Sequence, residues 1–182
     1  MSIIPDFTKL EIPTLKPVLF FHIEANEPEM AMANKQSNLT HVPITGGFVK
    51  SLDSKLPFDY EILHGSDDIT SFADSPVVGH LDCKLFLKSK SKSKDSNGKD
   101  GDKKAFVYYT GVVRFEDAVN GVIGKTTDTM DFEDGYVTCH PIFTVESEDE
   151  KWVKEINFLG KGRFVRDANG KLCVQYYVYT FA

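Results

Sequence analysis

Apolar and polar residues alternate along most of this chain with a period of two. They do so in short runs rich in β-branched and aromatic side chains, broken by Gly, Pro, Asn and Asp. Eight runs stand out, over residues 18–25, 42–50, 58–63, 77–88, 105–115, 136–145, 155–165 and 172–181. Eight strands suffice to close a barrel and remove its edges. The alternation is clearest in 77–88, where Val77, Gly79, Leu81, Cys83, Leu85 and Leu87 share one face and His80, Asp82, Lys84, Phe86 and Lys88 the other. The last two runs read as a hairpin. The residues between them, Arg166-Asp167-Ala168-Asn169-Gly170, end in an Asn-Gly pair that accepts the positive φ of a tight turn.

Helical spacing is confined to 149–157, where Trp152 and Ile156 lie four apart, and that segment equally fits the lead into a strand. Helices do not alternate with the strands, which disfavours a parallel βαβ sheet. The pattern therefore predicts an all-β fold: a closed antiparallel β-barrel of about eight or more strands, lipocalin-like in general shape, with at most one short helix. One domain is expected over 1–182, with an N-terminal extension over 1–15 and an exposed loop over 88–104. That loop holds seven Lys, three Asp, four Ser and two Gly and no apolar side chain, so it has nothing to bury. It reads as a solvated insertion, with a basic docking segment or a phosphorylation target as the functional alternatives.

Composition narrows the function classes. With 182 residues, 41% of them hydrophobic and 12% aromatic, the chain can build a core without metal or disulfide help. The net charge is −6; the loop carries +4 of it, leaving −10 on the rest, and this argues against nucleic acid and anionic membranes as partners. Cys83, Cys139 and Cys173 are odd in number and far apart, which removes a disulfide framework and a CxxC site and fits a reducing, cytoplasmic compartment. No secretory signal or membrane-length apolar stretch is visible, so Asn38-Leu39-Thr40 is read as a chance glycosylation triplet.

Phosphate loops, dinucleotide fingerprints, HExxH and GxSxG elbows are all missing, which removes the large enzyme classes they mark. The five histidines stand singly, so no metal site and no cofactor is expected. What is left is a set of polar groups opposite the apolar faces: His80 and Asp82, Tyr108 with Arg114, and Tyr136 with Thr138 and His140. Alternation leaves both placements open, since these groups line a lumen or form the outside. In a lumen, Asp82 and His140 are the candidate catalytic pair for proton transfer, and His80, Tyr108, Arg114 and Tyr136 are candidate ligand-binding groups. The cysteines read as buried structural thiols.

Three stretches resemble, in order and spacing, an uncharacterised family of bacteria and fungi, catalogued as domain of unknown function three thousand two hundred and thirty-seven. They are Val42-Pro43-Ile44-Thr45-Gly46-Gly47-Phe48; the Leu81-Asp82 strand followed by Tyr108-Tyr109-Thr110-Gly111; and Tyr136, Pro141, Phe143, Trp152, Phe158, Gly160, Gly162 and Arg163. The resemblance implies a closed, often oligomeric barrel with no agreed activity. It adds Thr45, Gly46 and Gly47 to the candidate ligand-binding residues, although glycines at such a place more often serve a bulge or a close backbone approach. Thr138, Ile142 and Lys154 stand where that family tends to carry two arginines and an asparagine, so an anion bound there by relatives is not expected here.

Three readings follow: a barrel that binds a small molecule; a cofactor-free isomerase, lyase or hydrolase acting on a hydroxylated or carbonyl-bearing metabolite; and an interaction protein with a filled barrel. An ionisable side chain with a shifted pKa inside the cavity separates the second from the first. Aromatics on both faces make a homodimer the expected assembly.

Overall fold

The computed structural model describes residues 13–90, 93–94, 100–101 and 103–182. Each of the eight alternating runs becomes a barrel strand: β1 (Leu15–Ala25), β3 (Ser37–Ser51), β4 (Asp59–Phe72), β5 (Ser75–Ser89), β8 (Lys104–Arg114), β9 (Val137–Val145), β10 (Leu159–Arg166) and β11 (Leu172–Phe181). They run β1-β11-β10-β9-β8-β5-β4-β3, and β3 returns to β1, so the sheet closes with antiparallel neighbours throughout. Outside the closed set, β2 (Glu29–Ala33) extends the sheet along the first half of β3. The short strands β6 (Ser93–Lys94) and β7 (Asp100–Gly101) form a ribbon between β5 and β8. The rest of the Lys/Ser loop, 91–92, 95–99 and 102, lies outside the described residues, as do residues 1–12 of the N-terminal extension.

An eight-stranded barrel is only wide enough for side chains to fill it, so the apolar face of each strand turns inward. Leu81, Cys83, Leu85 and Leu87 of β5 are buried, while His80 and Lys84 are exposed and Asp82 is half-buried. On β8 and β9 the same rule buries Val107, Tyr109, Val113, Val137, Cys139 and Phe143. The turn from β10 to β11 forms as expected, but positive φ falls on Gly170 alone. There the Asp167 carboxylate accepts the backbone N–H groups of Asn169 and Lys171, at 2.8 and 2.9 Å.

Helix is scarce, as expected, but the longer helix lies outside the segment with helical spacing. The segment 149–157 holds only a 3-10 turn (Glu148–Glu150) and the four-residue α2 (Trp152–Glu155). A seven-residue helix, α1 (Asp117–Ile123), instead follows β8 and buries Val119 and Val122 at one end of the barrel, here called the mouth. Its valines, Asn120 and Gly121 are weak helix formers, and packing overrides their propensity. Arg166 fixes it there. The guanidinium donates to the helix-end carbonyls of Val122 and Ile123 at 2.8 and 2.9 Å and to the Glu27 carboxylate at 2.8 and 3.1 Å.

The opposite end, the base, is closed by rings. Phe58 lies 5.5 Å from Phe143, Phe143 lies 5.3 Å from Phe158, and Phe158 lies 6.2 Å from Trp152, centroid to centroid.

Candidate functional site

Between base and mouth two strands change phase at the same level. On β3 the inward positions are Val42 and Ile44 and then Val49; on β4 they are Tyr60 and Ile62 and then Asp67 and Ile69. The β3 change is a bulge at Thr45, where the pairing with β1 slips between Glu24 and Ala25. Gly47 has φ +118°, and a Cβ there would fall 2.0 Å from the His22 carbonyl oxygen, so only glycine fits. The β4 change is a bulge between Ile62 and His64. Its consequence is chemical: it turns Asp67 into the lumen.

Above this level the barrel is not filled. A cavity of about 220 Å³ lies under α1, walled by apolar side chains such as Ile44, Ile69, Leu81 and Phe164, with Asp67, Tyr109 and Tyr176 at its inner end. Asp67 Oδ1 accepts the backbone N–H of Asp82 at 3.2 Å, and Oδ2 accepts the Tyr109 hydroxyl at 3.4 Å. The first bond takes an amide away from the β4–β5 ladder, which lacks paired residues between Asp67/Cys83 and Thr70/His80. Tyr176 stands edge-on to Tyr109, with ring centroids 5.8 Å apart. It fits because position 162 is glycine; a Cβ there would lie 2.5 Å from the tyrosine ring.

Burial sets the protonation states. It pushes the Asp67 carboxyl up to about 7, with Asp68 and Asp82 adding to the rise and the hydrogen bonds from Asp82 N–H and Tyr109 opposing it. Burial also holds the Tyr109 and Tyr176 phenols and the Cys83 and Cys139 thiols well above their usual values, so all four stay neutral donors. One carboxyl, pushed up towards neutrality, therefore faces a largely apolar wall beside neutral hydroxyls.

The polar residues singled out from alternation lie on the other side of the wall, the outer of the two placements that alternation left open. Asp82 points outward to Lys84, 2.6 Å away, and its link to the lumen is the backbone N–H alone. His140 is exposed, at the rim of an open groove of about 670 Å³ shared with Lys154 and Asn157. His80, Tyr136 and His140 do converge, on a shallow outer depression of about 400 Å³ across β5, β8 and β9. Tyr108 lies under the Lys84 ammonium, and Arg114 sits over the Tyr136 ring, 5.0 Å from its centroid. Thr45, Gly46 and Gly47 form the bulge and do not line the cavity.

Asp67 and Tyr109 were not among the candidate site residues. The signal that marks Asp67 is the Gly-Ser-Asp-Asp stretch after Leu63, which reads as a turn until the bulge is seen. Among the described residues no group of three or more His, Cys, Asp and Glu is arranged to hold a metal, and no helix is long and apolar enough to cross a membrane.

Comparison with known proteins places this geometry. A family model described as a protein of unknown function (DUF3237) matches residues 13–181. No curated protein matches the chain. Among solved structures, a conserved protein of unknown function from Rhodopseudomonas palustris is similar at TM-score 0.69 and 16% identity, over 95% of this chain and 100% of that one. A beta-barrel like protein from Acinetobacter baumannii gives 0.60 and 15%, over 96% and 99%. An enzyme from Penicillium herquei gives 0.55 and 12%, over 96% and 98%. At these identities the likeness is one of fold.

Proposed function

We propose, from the premise that the chain belongs to the DUF3237 family of unknown function, that it binds a small, largely apolar molecule in the mouth-end cavity, with a hydroxyl or carbonyl of that molecule at Asp67. The observation that carries this reading is a carboxyl buried in a largely apolar cavity, held by two long hydrogen bonds. A carboxyl so placed costs stability unless it is used, and an apolar side chain would fill the space better. The cavity has the volume of about seven liquid waters, room for a six-membered ring with one substituent. Backbone amide shifts followed while cyclohexanone or cyclohexanol is titrated in test this. Movement is expected at Asp67, Tyr109, Ile123 and Tyr176; movement confined to His140 and Ile142 would place the ligand in the outer groove instead.

A second reading, a cofactor-free isomerase, lyase or hydrolase, is supported by the same carboxyl. Binding alone does not need a group that titrates near neutrality inside the cavity, and proton transfer does. The enzyme from Penicillium herquei is compatible with catalysis in a barrel of this kind. In either reading the three buried free thiols suit a cytoplasmic setting. Exposed Phe86 and Ile142 on the outer face suit a homodimer, which sedimentation of the full chain would reveal.

A further inference from the structure

We propose that the mouth-end site catalyses an isomerisation by proton transfer, in which Asp67 takes a proton from carbon next to a carbonyl and returns it elsewhere on the same molecule. This rests on the binding reading above and names its chemistry. Three features of the geometry favour it. The cavity holds a single carboxyl, whereas acid and base acting together on an acetal need a pair. Its walls are largely apolar, with Thr40 and Asn120 the polar side chains besides Asp67 and the two tyrosines, so an activated water has few partners and the proton stays with carboxyl and substrate. The Tyr109 phenol donates a long bond of 3.4 Å to this carboxyl, and Tyr176 lines the same cavity with its ring edge-on to Tyr109, so two neutral O–H groups can turn to a carbonyl oxygen as it gains charge.

The step balances within one substrate. In a β,γ-unsaturated ketone the Asp67 carboxylate removes a proton from the α carbon. The C–H electron pair becomes a new C=C bond, and the carbonyl π pair moves onto oxygen, stabilised by the phenol hydroxyls. The resulting dienolate then takes the proton from the Asp67 carboxylic acid at its γ carbon, giving the conjugated ketone and the carboxylate again. Cys83 on β5, Tyr109 on β8, Cys139 on β9 and Tyr176 on β11 share the inner side with this carboxyl, while Asp68 on β4 and Asp82 on β5 act on it from the outer side of the sheet, where they pair with His41 and Lys84. Burial holds these thiols and phenols neutral and pushes the Asp67 carboxyl up to about 7, so of the inner-side groups it is Asp67 that changes charge near neutrality.

Cyclohex-3-en-1-one, which fits the cavity, is the probe for the full-length protein. Conversion to cyclohex-2-en-1-one is read by ultraviolet absorbance and by proton exchange in deuterium oxide. The wild type is expected to raise the rate above buffer along a pH profile that climbs through about 7 to a plateau. Asp67→Asn should lower the rate at least ~100-fold while still binding cyclohexanone. Tyr109→Phe should both lower the plateau rate at least ~10-fold, because it removes a donor to the developing oxyanion, and move the midpoint of the profile upward, because it removes a hydrogen bond that favours the carboxylate. Binding of cyclohexanone without turnover of the enone, or equal turnover by Asp67→Asn, overturns the isomerisation and leaves the binding reading intact. No binding of either ketone in the cavity overturns both.

Discussion

A carboxylic acid is buried against a tyrosine at each end of this barrel, and the two pairs differ in what surrounds them. At the base, the Tyr60 hydroxyl donates to Glu150 Oε2 at 2.5 Å, and Tyr60 stacks on Phe58 with centroids 4.5 Å apart. Burial and the Glu150 hydrogen bond push the Tyr60 phenol far above its usual value, so it remains the donor. At the mouth, the Tyr109 hydroxyl is 3.4 Å from Asp67 and a cavity of about 220 Å³ opens beside them. The same two functional groups thus serve as a closed strut in one place and as an open site in the other. Hydrogen-bond length and neighbouring space separate the roles; residue type does not.

The largest effect of substitution is expected at the base. Phe143→Ala empties a position ringed by Phe21, Phe58 and Phe158 and should cost about 3–5 kcal/mol in denaturant unfolding, whereas Ile69→Val beside the cavity should cost only ~0.5–1.5 kcal/mol. Tyr60→Phe strands Glu150 without its phenol donor and should cost about 1–3 kcal/mol.

Asp67→Asn should behave in the opposite way, and its sign depends on pH. The folded carboxyl titrates at about 7 against 3.8 for the ordinary group, so between these values the folded state holds a proton that the unfolded state has released. Stability from this group is present below the lower value and is lost as pH rises through the upper one. The wild type should therefore lose stability from pH 4 to 7 relative to Asp67→Asn and be the less stable of the two at pH 8, by about 1–3 kcal/mol. The smallest effects belong to the outer face: Asp82→Asn and His140→Gln should each change stability by less than ~0.5 kcal/mol and leave ligand binding in the mouth unaltered. A loss of binding in either variant would move the site to the outer depression.

These contrasts also explain what the sequence made legible. The barrel was readable because each strand keeps its period of two over at least five residues, and eight such runs need no further information to be counted. Which face is inner did not follow from alternation. It follows from the diameter of a small barrel, which admits Leu81, Leu85 and Val107 and leaves Asp82, Tyr108 and Arg114 outside. Asp67 was hidden for a different reason. A β-bulge shifts the phase by one residue, so a strand read as ending at Leu63 continues to Phe72 with its inward set reversed. The bulge around Thr45-Gly46-Gly47 was visible as a backbone possibility, and its partner across the sheet was not. Helix α1 was missed because Val119, Asn120, Gly121 and Val122 form a helix only where the barrel mouth buries them.

The mouth-end carboxyl is held between its two protonation states by burial. Titration of the Asp67 side-chain carboxyl by carbon-13 chemical shift in the full-length protein, assigned through Asp67→Asn, tests it directly. The structure predicts a midpoint near 7, moving upward in Tyr109→Phe. A midpoint in the ordinary carboxylate range, near 4, would mean that water reaches Asp67 freely, and the account of a dry, poised site would be wrong.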